Sequence, residues 1–295
     1  MKMLKVKPKI LFIRAGAMGD VLLISPLIRR CFTERKGDCE IYVKTFYPEL
    51  FRDNPYVTQS FRPDNLSNNE FDIVYNLDWV YEKNNDRHVL DAYEEYVFGN
   101  NSLDRYCELF DSIDDTKYVD SLVTELGDFI VLHMRNIANT DIDQMSRNIN
   151  EDIWKLVVID ILNQSNSKIV QIGSAGDLSF GGSDRLIDMR QRFSIHQIKS
   201  LCERAKCFLG VDSGPAHIAA TSSVGMVVLY TIAKVDDRIP FRKHGITSAI
   251  KADIECQGCL VNVAPGQRLN CPNNVQCRNS FSPKTISEKV LELIG

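Results

Sequence analysis

The chain has 295 residues, of which 44% are hydrophobic and 25% are charged, a composition typical of a globular protein. This length is sufficient for two domains of ordinary size. The formal net charge of -4 excludes the basic surface on which most nucleic-acid-binding proteins depend, so we expect no nucleic-acid partner. No apolar stretch is long enough to cross a membrane and no cleavable leader is recognisable, which predicts a cytoplasmic protein with at most peripheral membrane contact.

Strands and helices alternate along the first part of the chain. The apolar run at residues 9–14 predicts a strand, residues 16–20 (GAMGD) predict a turn, and the following apolar positions repeat at helical spacing. Residues 40–45 and 71–77 predict two further strands, and a polar, helical stretch with weak boundaries follows them. This alternation indicates an α/β fold, in which helices cover both faces of a parallel sheet.

A second α/β series begins at Gly127. Its predicted strands and helices alternate as in the first series and are, in chain order, the strand 128–133, the helix 150–163, the strand 168–172, the helix 195–206, the strand from 208, a helix from 217 and the strand 226–230. We therefore expect two Rossmann-like domains, at residues 1–126 and 127–280, followed by a capped C-terminal helix at 281–295. Because ligands bind at the carboxyl ends of parallel strands, the active site is expected in an interdomain cleft.

The stretch 208–221 (FLGVDSGPAHIAAT) predicts a buried strand, a tight polar turn and the start of a helix. A turn of this kind presents backbone N–H groups and the positive end of a helix dipole, which suit an anion such as a diphosphate. The candidate ligand-binding residues are Asp212, Ser213, Gly214 and His217. An ordinary helix start capped by Asp212 or Ser213 fits the same residues, but His217 would face the same site and favours the anion.

The first turn, at residues 16–20, has two glycines where a dinucleotide-binding fingerprint needs three. The second strand also ends without an acidic residue to hold a ribose, so we exclude NAD. Gly19 would let the backbone approach a ligand closely. Asp20 is either a helix cap or a general base that accepts a proton from a hydroxyl. A weak base at the head of a helix suffices if the proton leaves late in an oxocarbenium-like displacement.

Four of the nine cysteines, Cys256, Cys259, Cys271 and Cys277, form the pattern C-x2-C-x11-C-x5-C. Thiols clustered in this way in a cytoplasmic chain favour a metal site over disulfides, and four thiolates suit zinc or iron. Four protein ligands leave no open coordination position, which predicts a structural metal. Two disulfides or free thiols are the alternative.

Three cationic or titratable side chains flank the first loop of the second series. His133 and Arg135 follow its first strand, and Arg147 precedes its first helix. Cations at the carboxyl end of a strand suit a phosphate group, although an ordinary exposed charge accounts equally well for any one of them.

Four segments together resemble glycosyltransferase family 9, the ADP-heptose heptosyltransferases and their relatives. They are, in order, ILFIRAGAMGDVLLISPLIR, SRNINEDIWKL, LIDMRQRFSIHQIKSLCERAKCFLGVDSGPAHIAAT and RIPF. The resemblance implies a GT-B architecture and an inverting transfer of a sugar from a nucleotide-diphosphate donor, with ADP-heptose the leading candidate, to a glycan or protein acceptor. Nothing in the sequence resembles a pair of carboxylates dedicated to a divalent metal, so we expect catalysis without one. The alternatives are a GT-B sugar-nucleotide epimerase and a non-catalytic partner subunit.

The resemblance also suggests roles for individual residues. Asp20 matches the catalytic base, and Arg147 occupies a position where many members carry a lysine that contacts the donor phosphate. The donor diphosphate and ribose region is matched by Asp212, Ser213, Gly214 and His217. The cysteine cluster is similar to that of the protein O-heptosyltransferases, whose four cysteines bind iron.

Overall fold

A computed structural model describes residues 7–63, 68–83, 85–101, 104–135, 145–262 and 270–295 of the chain. The chain divides into two units, Met1–Phe110 and Asp111–Gly295. The helix Ile113–Val123 therefore lies in the second unit, whereas the sequence-based division assigned it to the first domain. None of the helices in the described ranges is both long and apolar enough to cross a membrane.

The first unit is built on a sheet of four parallel strands. The strands are β1 (Lys9–Ile13), β2 (Glu40–Lys44), β3 (Gln59–Phe61) and β4 (Ile73–Asn76), in the spatial order β3-β2-β1-β4. Its helices are α1 (Met18–Leu22), α2 (Ser25–Glu34) and α3 (Val89–Phe98). The central strand β1 is apolar and its residues 10–12 are fully buried, as expected for a strand covered on both faces.

The sequence predicted one helix where the structure has α1 and α2. Pro26 stands in the first turn of α2, and proline has no N–H with which to continue the hydrogen-bond ladder of a preceding helix. The first turn of a helix tolerates proline because its N–H groups have no partner within the helix. The chain therefore starts a new helix at Ser25 and keeps Leu27 and Ile28 in the core.

The second unit contains six parallel strands and six helices within the described ranges. In chain order they are α4 (Ile113–Val123), β5 (Phe129–His133), α5 (Glu151–Gln164), β6 (Lys168–Gln171), β7 (Leu186–Asp188), α6 (Ile195–Arg204), β8 (Cys207–Val211), α7 (Gly214–Ala219), β9 (Gly225–Tyr230), α8 (Val235–Arg238), β10 (Thr247–Lys251) and α9 (Pro283–Ile294). The spatial order β10-β9-β8-β5-β6-β7 is that of the Rossmann fold.

Helices cover both faces of the second sheet. Trp154 of α5 and Ile286 of α9 are fully buried in the core on one face, and Val119 of α4 and Leu201 of α6 are fully buried on the other. The predicted C-terminal helix begins at Pro283, and the Ser282 side chain accepts a hydrogen bond from the backbone N–H of Thr285. The predicted α/β fold with parallel sheets is thereby confirmed.

Each sheet has a point at which the strand order reverses, between β1 and β4 in the first unit and between β5 and β8 in the second. In open parallel sheets, ligands bind just beyond the carboxyl ends of the strands at such points. We therefore expect a functional site among the residues that follow these four strands.

Candidate active site

In the first unit, Arg14 and Asp20 lie at the carboxyl end of β1. Arg14 follows the strand directly, and Asp20 lies in the first turn of α1. The Arg14 Nη2 donates to Asp20 Oδ2 at 2.7 Å, and the two side chains are 6% and 15% exposed. A buried guanidinium at this distance favours the charged carboxylate. The predicted base is thus paired with a cation that the sequence alone did not single out.

Two further carboxylates surround the same guanidinium. Glu82 Oε1 lies 2.8 Å from Arg14 Nη2, and Asp78 Oδ1 lies 3.8 Å from Arg14 Nη1. Burial alone would lower the pKa of Arg14, but the nearby Tyr93, Asp20 and Glu82 outweigh it and raise that pKa above its ordinary value. Arg14 is therefore the cation of this cluster, as expected for a guanidinium group.

The turn that carries Asp20 is tied to the strands on either side of β1. The Ala15 N–H donates to Asp78 Oδ1 at 2.9 Å, and the Phe46 N–H donates to the Ala15 carbonyl at 3.1 Å. Gly19, the predicted point of close backbone approach, is buried and its carbonyl accepts from Leu23 N at 3.1 Å. Gly16, in the same turn, has open space where a side chain would stand.

In the second unit, Asp212 and Ser213 follow β8 at the point where the strand order reverses. Ser213 begins α7, but its side chain makes no capping hydrogen bond. Its hydroxyl instead donates to the Val211 carbonyl at 3.0 Å and lies 3.1 Å from His133 Nδ1. The alternative of an ordinary helix start capped by the Ser213 side chain is therefore not what the structure contains.

His133, at the end of β5, is neutral and buried. Burial lowers the pKa of His133 to about 4; Arg135 acts in the same direction, and Asp177 opposes it. Asp177 Oδ2 lies 3.9 Å from His133 Nε2 and accepts from the Ser174 N–H at 2.6 Å. A neutral imidazole can accept or donate a hydrogen bond at Ser213 without adding charge.

The guanidinium groups of Arg135 and Arg147 are near enough for their charges to interact. Burial lowers the pKa of Arg135, the guanidinium of Arg147 lowers it further, and Asp177 and Asp212 partly compensate. Arg135 also has a left-handed backbone with φ 47°, a conformation that costs a non-glycine residue free energy and that is enriched at functional sites. An anion between the two guanidinium groups would relieve their repulsion.

The structure thus brings most of the predicted donor-binding residues to one edge of the second sheet. His217 of α7 is buried, with Nε2 3.8 Å from Asp212 Oδ1. The helix α7 is only six residues long, so the positive charge at this edge comes mainly from Arg135 and Arg147 and less from a helix dipole. Asp177 was missed from the sequence because nothing in the GSAGD segment distinguishes it from an ordinary loop aspartate.

The four clustered cysteines are close enough to influence one another. Burial, followed by the neighbouring Cys259, Cys271 and Cys256 thiols, raises the pKa of Cys277 to about 11. Two N–H groups point at sulfur, from Asn273 Nδ2 to Cys256 at 3.3 Å and from Val275 N to Cys271 at 3.2 Å.

All four of these cysteines are free thiols, so the two-disulfide alternative is not observed. However, no group of three or more His, Cys, Asp or Glu side chains within the described ranges is arranged to hold a metal ion. The predicted metal site therefore stays a prediction.

Residues 158–267 match the family model for glycosyltransferase family 9 (heptosyltransferase). This segment is similar to the corresponding part of the family 9 glycosyltransferases. It includes β8, α7 and the donor-binding candidates at 212–217. The match confirms the family resemblance predicted from the sequence and the predicted class of enzyme, a glycosyltransferase that uses a nucleotide sugar. Among curated proteins, none matches the chain with significance.

Solved structures with a similar fold cover almost the whole of the chain. A family 9 glycosyl transferase from Veillonella parvula is 14% identical over 97% of both chains, with a TM-score of 0.68. The E. coli ADP-heptose LPS heptosyltransferase II is 14% identical over 97% of this chain and 98% of its own, with a TM-score of 0.71. These similarities confirm the predicted GT-B architecture of two Rossmann-like domains.

A third similar structure is TibC from enterotoxigenic E. coli, described as an iron-containing dodecameric glycosyltransferase. It is 14% identical over 98% of this chain and 77% of its own, with a TM-score of 0.71. A second TibC structure, a complex with ADP-D-β-D-heptose, is 13% identical over the same shares of the two chains and has a TM-score of 0.70. At this level of identity the likeness concerns the fold.

Proposed function

We propose that the chain is an inverting glycosyltransferase that moves a sugar, a heptose or a related hexose, from a nucleotide-diphosphate donor to an acceptor hydroxyl. One observation carries the proposal. Each unit has a chemically suited cluster at its own strand-order reversal: a charged carboxylate, Asp20, in the first, and two mutually repelling cations, Arg135 and Arg147, in the second. A base and an anion site are the two parts that such a transfer needs.

The donor diphosphate would bind to the second unit. Arg147 and Arg135 would neutralise its charge, which grows on the leaving group in the transition state, so their contribution would be largest there. The backbone N–H of Gly214 would donate a hydrogen bond to the diphosphate, while Asp212, Ser213 and His217 would contact the rest of the nucleotide. The neutral His133 would hold the Ser213 hydroxyl in place.

Asp20 would receive the proton of the acceptor hydroxyl. A carboxylate paired with Arg14 is a weak base, which suits a loose displacement in which the hydroxyl loses its proton late. At Gly19 the backbone would approach the acceptor closely. A single displacement inverts the configuration at the anomeric carbon, and the charge that develops on the leaving group is met by the two arginines without a dedicated divalent metal.

ADP-heptose is the proposed donor, and the family model match and the fold shared with heptosyltransferases support it. The acceptor would be a glycan or a protein hydroxyl. We further propose a cytoplasmic location, where nucleotide sugars are made, with at most peripheral contact with a membrane.

We also propose a structural zinc or iron at the four clustered cysteines. Two N–H groups directed at sulfur fit thiolate ligands, whereas the arrangement of the side chains in the structure does not by itself form a metal site. No step of the transfer passes through this metal.

The function is tested by incubating the purified protein with ADP-heptose labelled in the sugar, with and without a pool of glycan and protein acceptors. Transfer of label to an acceptor that requires the wild-type protein and is lost in Asp20→Asn is the expected result. Formation of a new sugar-nucleotide isomer in the absence of any acceptor would favour the epimerase. A protein that binds ADP but neither transfers nor hydrolyses the sugar would favour a non-catalytic subunit.

A further inference from the structure

We infer that Arg14 is a positioning residue, which holds the Asp20 carboxylate in its reactive orientation and in its charged form, with Glu82 as the anchor on the other side. The inference rests on the proposed role of Asp20 as the base. Arg14 itself would touch neither the donor nor the acceptor.

The geometry of the guanidinium supports this role. A single nitrogen, Nη2, donates to Asp20 Oδ2 at 2.7 Å and to Glu82 Oε1 at 2.8 Å, so it bridges the two carboxylates. The other nitrogen, Nη1, donates to the Leu77 carbonyl at 3.4 Å, just beyond the end of β4. A planar guanidinium held at three points has one orientation available, and it imposes that orientation on Asp20.

The carboxylates around Asp20 make the Arg14 guanidinium necessary if Asp20 is to stay charged. Asp20, Asp78 and Glu82 surround one guanidinium, and Arg14 also lies 5.9 Å from the centre of the Tyr93 ring. Without the guanidinium, Asp20 would lie near two other carboxylates and no cation from this cluster. Like charges at short range favour the protonated form of a carboxyl group, and a protonated Asp20 cannot accept the acceptor's proton.

Arg29 provides a matched comparison within the same unit. It is buried to a similar degree, donates to Glu108 Oε2 at 2.7 Å and lies 4.0 Å from the centre of the Tyr106 ring. It also donates to the backbone carbonyls of Tyr106 and Asp104. Arg29 thus resembles Arg14 in burial, in pairing with a carboxylate and in its aromatic neighbour, but in the described part of the chain its side-chain hydrogen bonds go to residues 104–108 and not to the turn that carries Asp20.

The test compares Arg14→Met, Arg14→Lys and Arg29→Met in the full chain, using initial transfer rates from pH 4 to 9. Arg14→Met should lower kcat by about a hundredfold, since a misplaced reacting group commonly costs that much, while KM for the donor is unchanged. The acid limb of its pH–rate profile, which is the fall in rate as Asp20 becomes protonated at low pH, should move to higher pH by about one to three pH units. Arg29→Met should lower the melting temperature but leave kcat and the acid limb as in the wild type.

Arg14→Lys separates charge from orientation. An ammonium keeps the positive charge but cannot bridge two carboxylates in a fixed plane. The acid limb should therefore return towards its wild-type position, while kcat recovers only in part. If Arg14→Met does not fold, the double variant Arg14→Met/Glu82→Gln, which removes one of the stranded carboxylates, is measured in its place with the same expected results.

Wild-type kcat and an unmoved acid limb in the Arg14 variants would overturn the inference, even if their melting temperatures fall. Its failure can be told apart from failure of the proposed function. If Asp20→Asn is inactive and Arg14→Met behaves as the wild type, only the positioning role is wrong. If Asp20→Asn transfers sugar normally, the proposed base itself is wrong.

Discussion

Gly173, two residues after β6, begins the loop beside the proposed donor-binding edge of the second unit. Its φ is 149°, a backbone conformation that residues with a side chain rarely adopt, and a Cβ placed on it would overlap Oδ2 of Asp177. That carboxylate accepts the Ser174 N–H and faces His133. Gly173→Ala should therefore displace Asp177 and disturb the site without removing any functional side chain.

The size of the effect follows from two contributions. A non-glycine residue forced into this region costs about 1–3 kcal/mol of strain. Loss of the hydrogen bond to a charged carboxylate from Ser174 costs about 1.5–3 kcal/mol more. The total is about 2.5–6 kcal/mol, and for a unit of this size each kcal/mol lowers the melting temperature by about 2–4 °C. A fall of at least about 5 °C is expected, together with weaker binding of ADP.

The assay is thermal unfolding with and without ADP, and Gly176→Ala is the control. Gly176 lies in the same loop, is exposed, and has no heavy atom within 4 Å of an added Cβ. Its substitution should leave the melting temperature unchanged or slightly higher. Equal melting temperatures for the two alanine variants would refute the reasoning, because the close approach of Gly173 and Asp177 would then carry no energetic weight.

Three further predictions concern the second unit. Arg147→Gln should weaken ADP binding by at least about tenfold in a calorimetric titration, and Arg147→Lys by less; equal affinity in all three proteins would remove Arg147 from the site. The free energy of unfolding should fall as the pH is lowered from about 6.5 to about 4, because His133 takes up a proton in the unfolded chain and the buried imidazole does not. When this free energy is measured by urea titration at each pH, His133→Gln should show a smaller dependence on pH, and an unchanged dependence would contradict the lowered pKa of His133. Wild-type protein purified without chelator should contain close to one equivalent of zinc or iron per chain, and the Cys259→Ser variant should contain much less. A content below about half an equivalent in the wild type would show that the four-thiolate site is wrong.

The sequence predicted the buried strands well but missed three of the four edge strands of the two described sheets. Strands β1, β5 and β8 are continuous apolar runs between turn residues, which is the pattern of a strand covered on both faces. The missed strands β3 and β7 have three residues each, and β10 is half polar. These segments form strands because a neighbouring strand supplies their hydrogen-bond partners. The residue pattern within the segment does not show which strand will lie beside it.

Some of the proposed functional residues could be identified from the sequence and others could not. Asp20, Asp212 and His217 could be proposed from the sequence because each stands inside a strand, turn and helix pattern. Arg14 and Asp78 could not be connected, because the β3-β2-β1-β4 order brings together two turns that are 63 residues apart in the chain. Local spacing cannot predict which carboxylate the fold will place beside a given cation.

The most direct test of the central claim is the thermal stability of the full chain in the presence of nucleotides. The account predicts that ADP and ADP-heptose stabilise the protein, by about 2.7 kcal/mol at a concentration a hundred times the Kd, and that Arg147→Gln loses most of this stabilisation. No stabilisation of the wild-type protein by any nucleoside diphosphate or nucleotide sugar would contradict it.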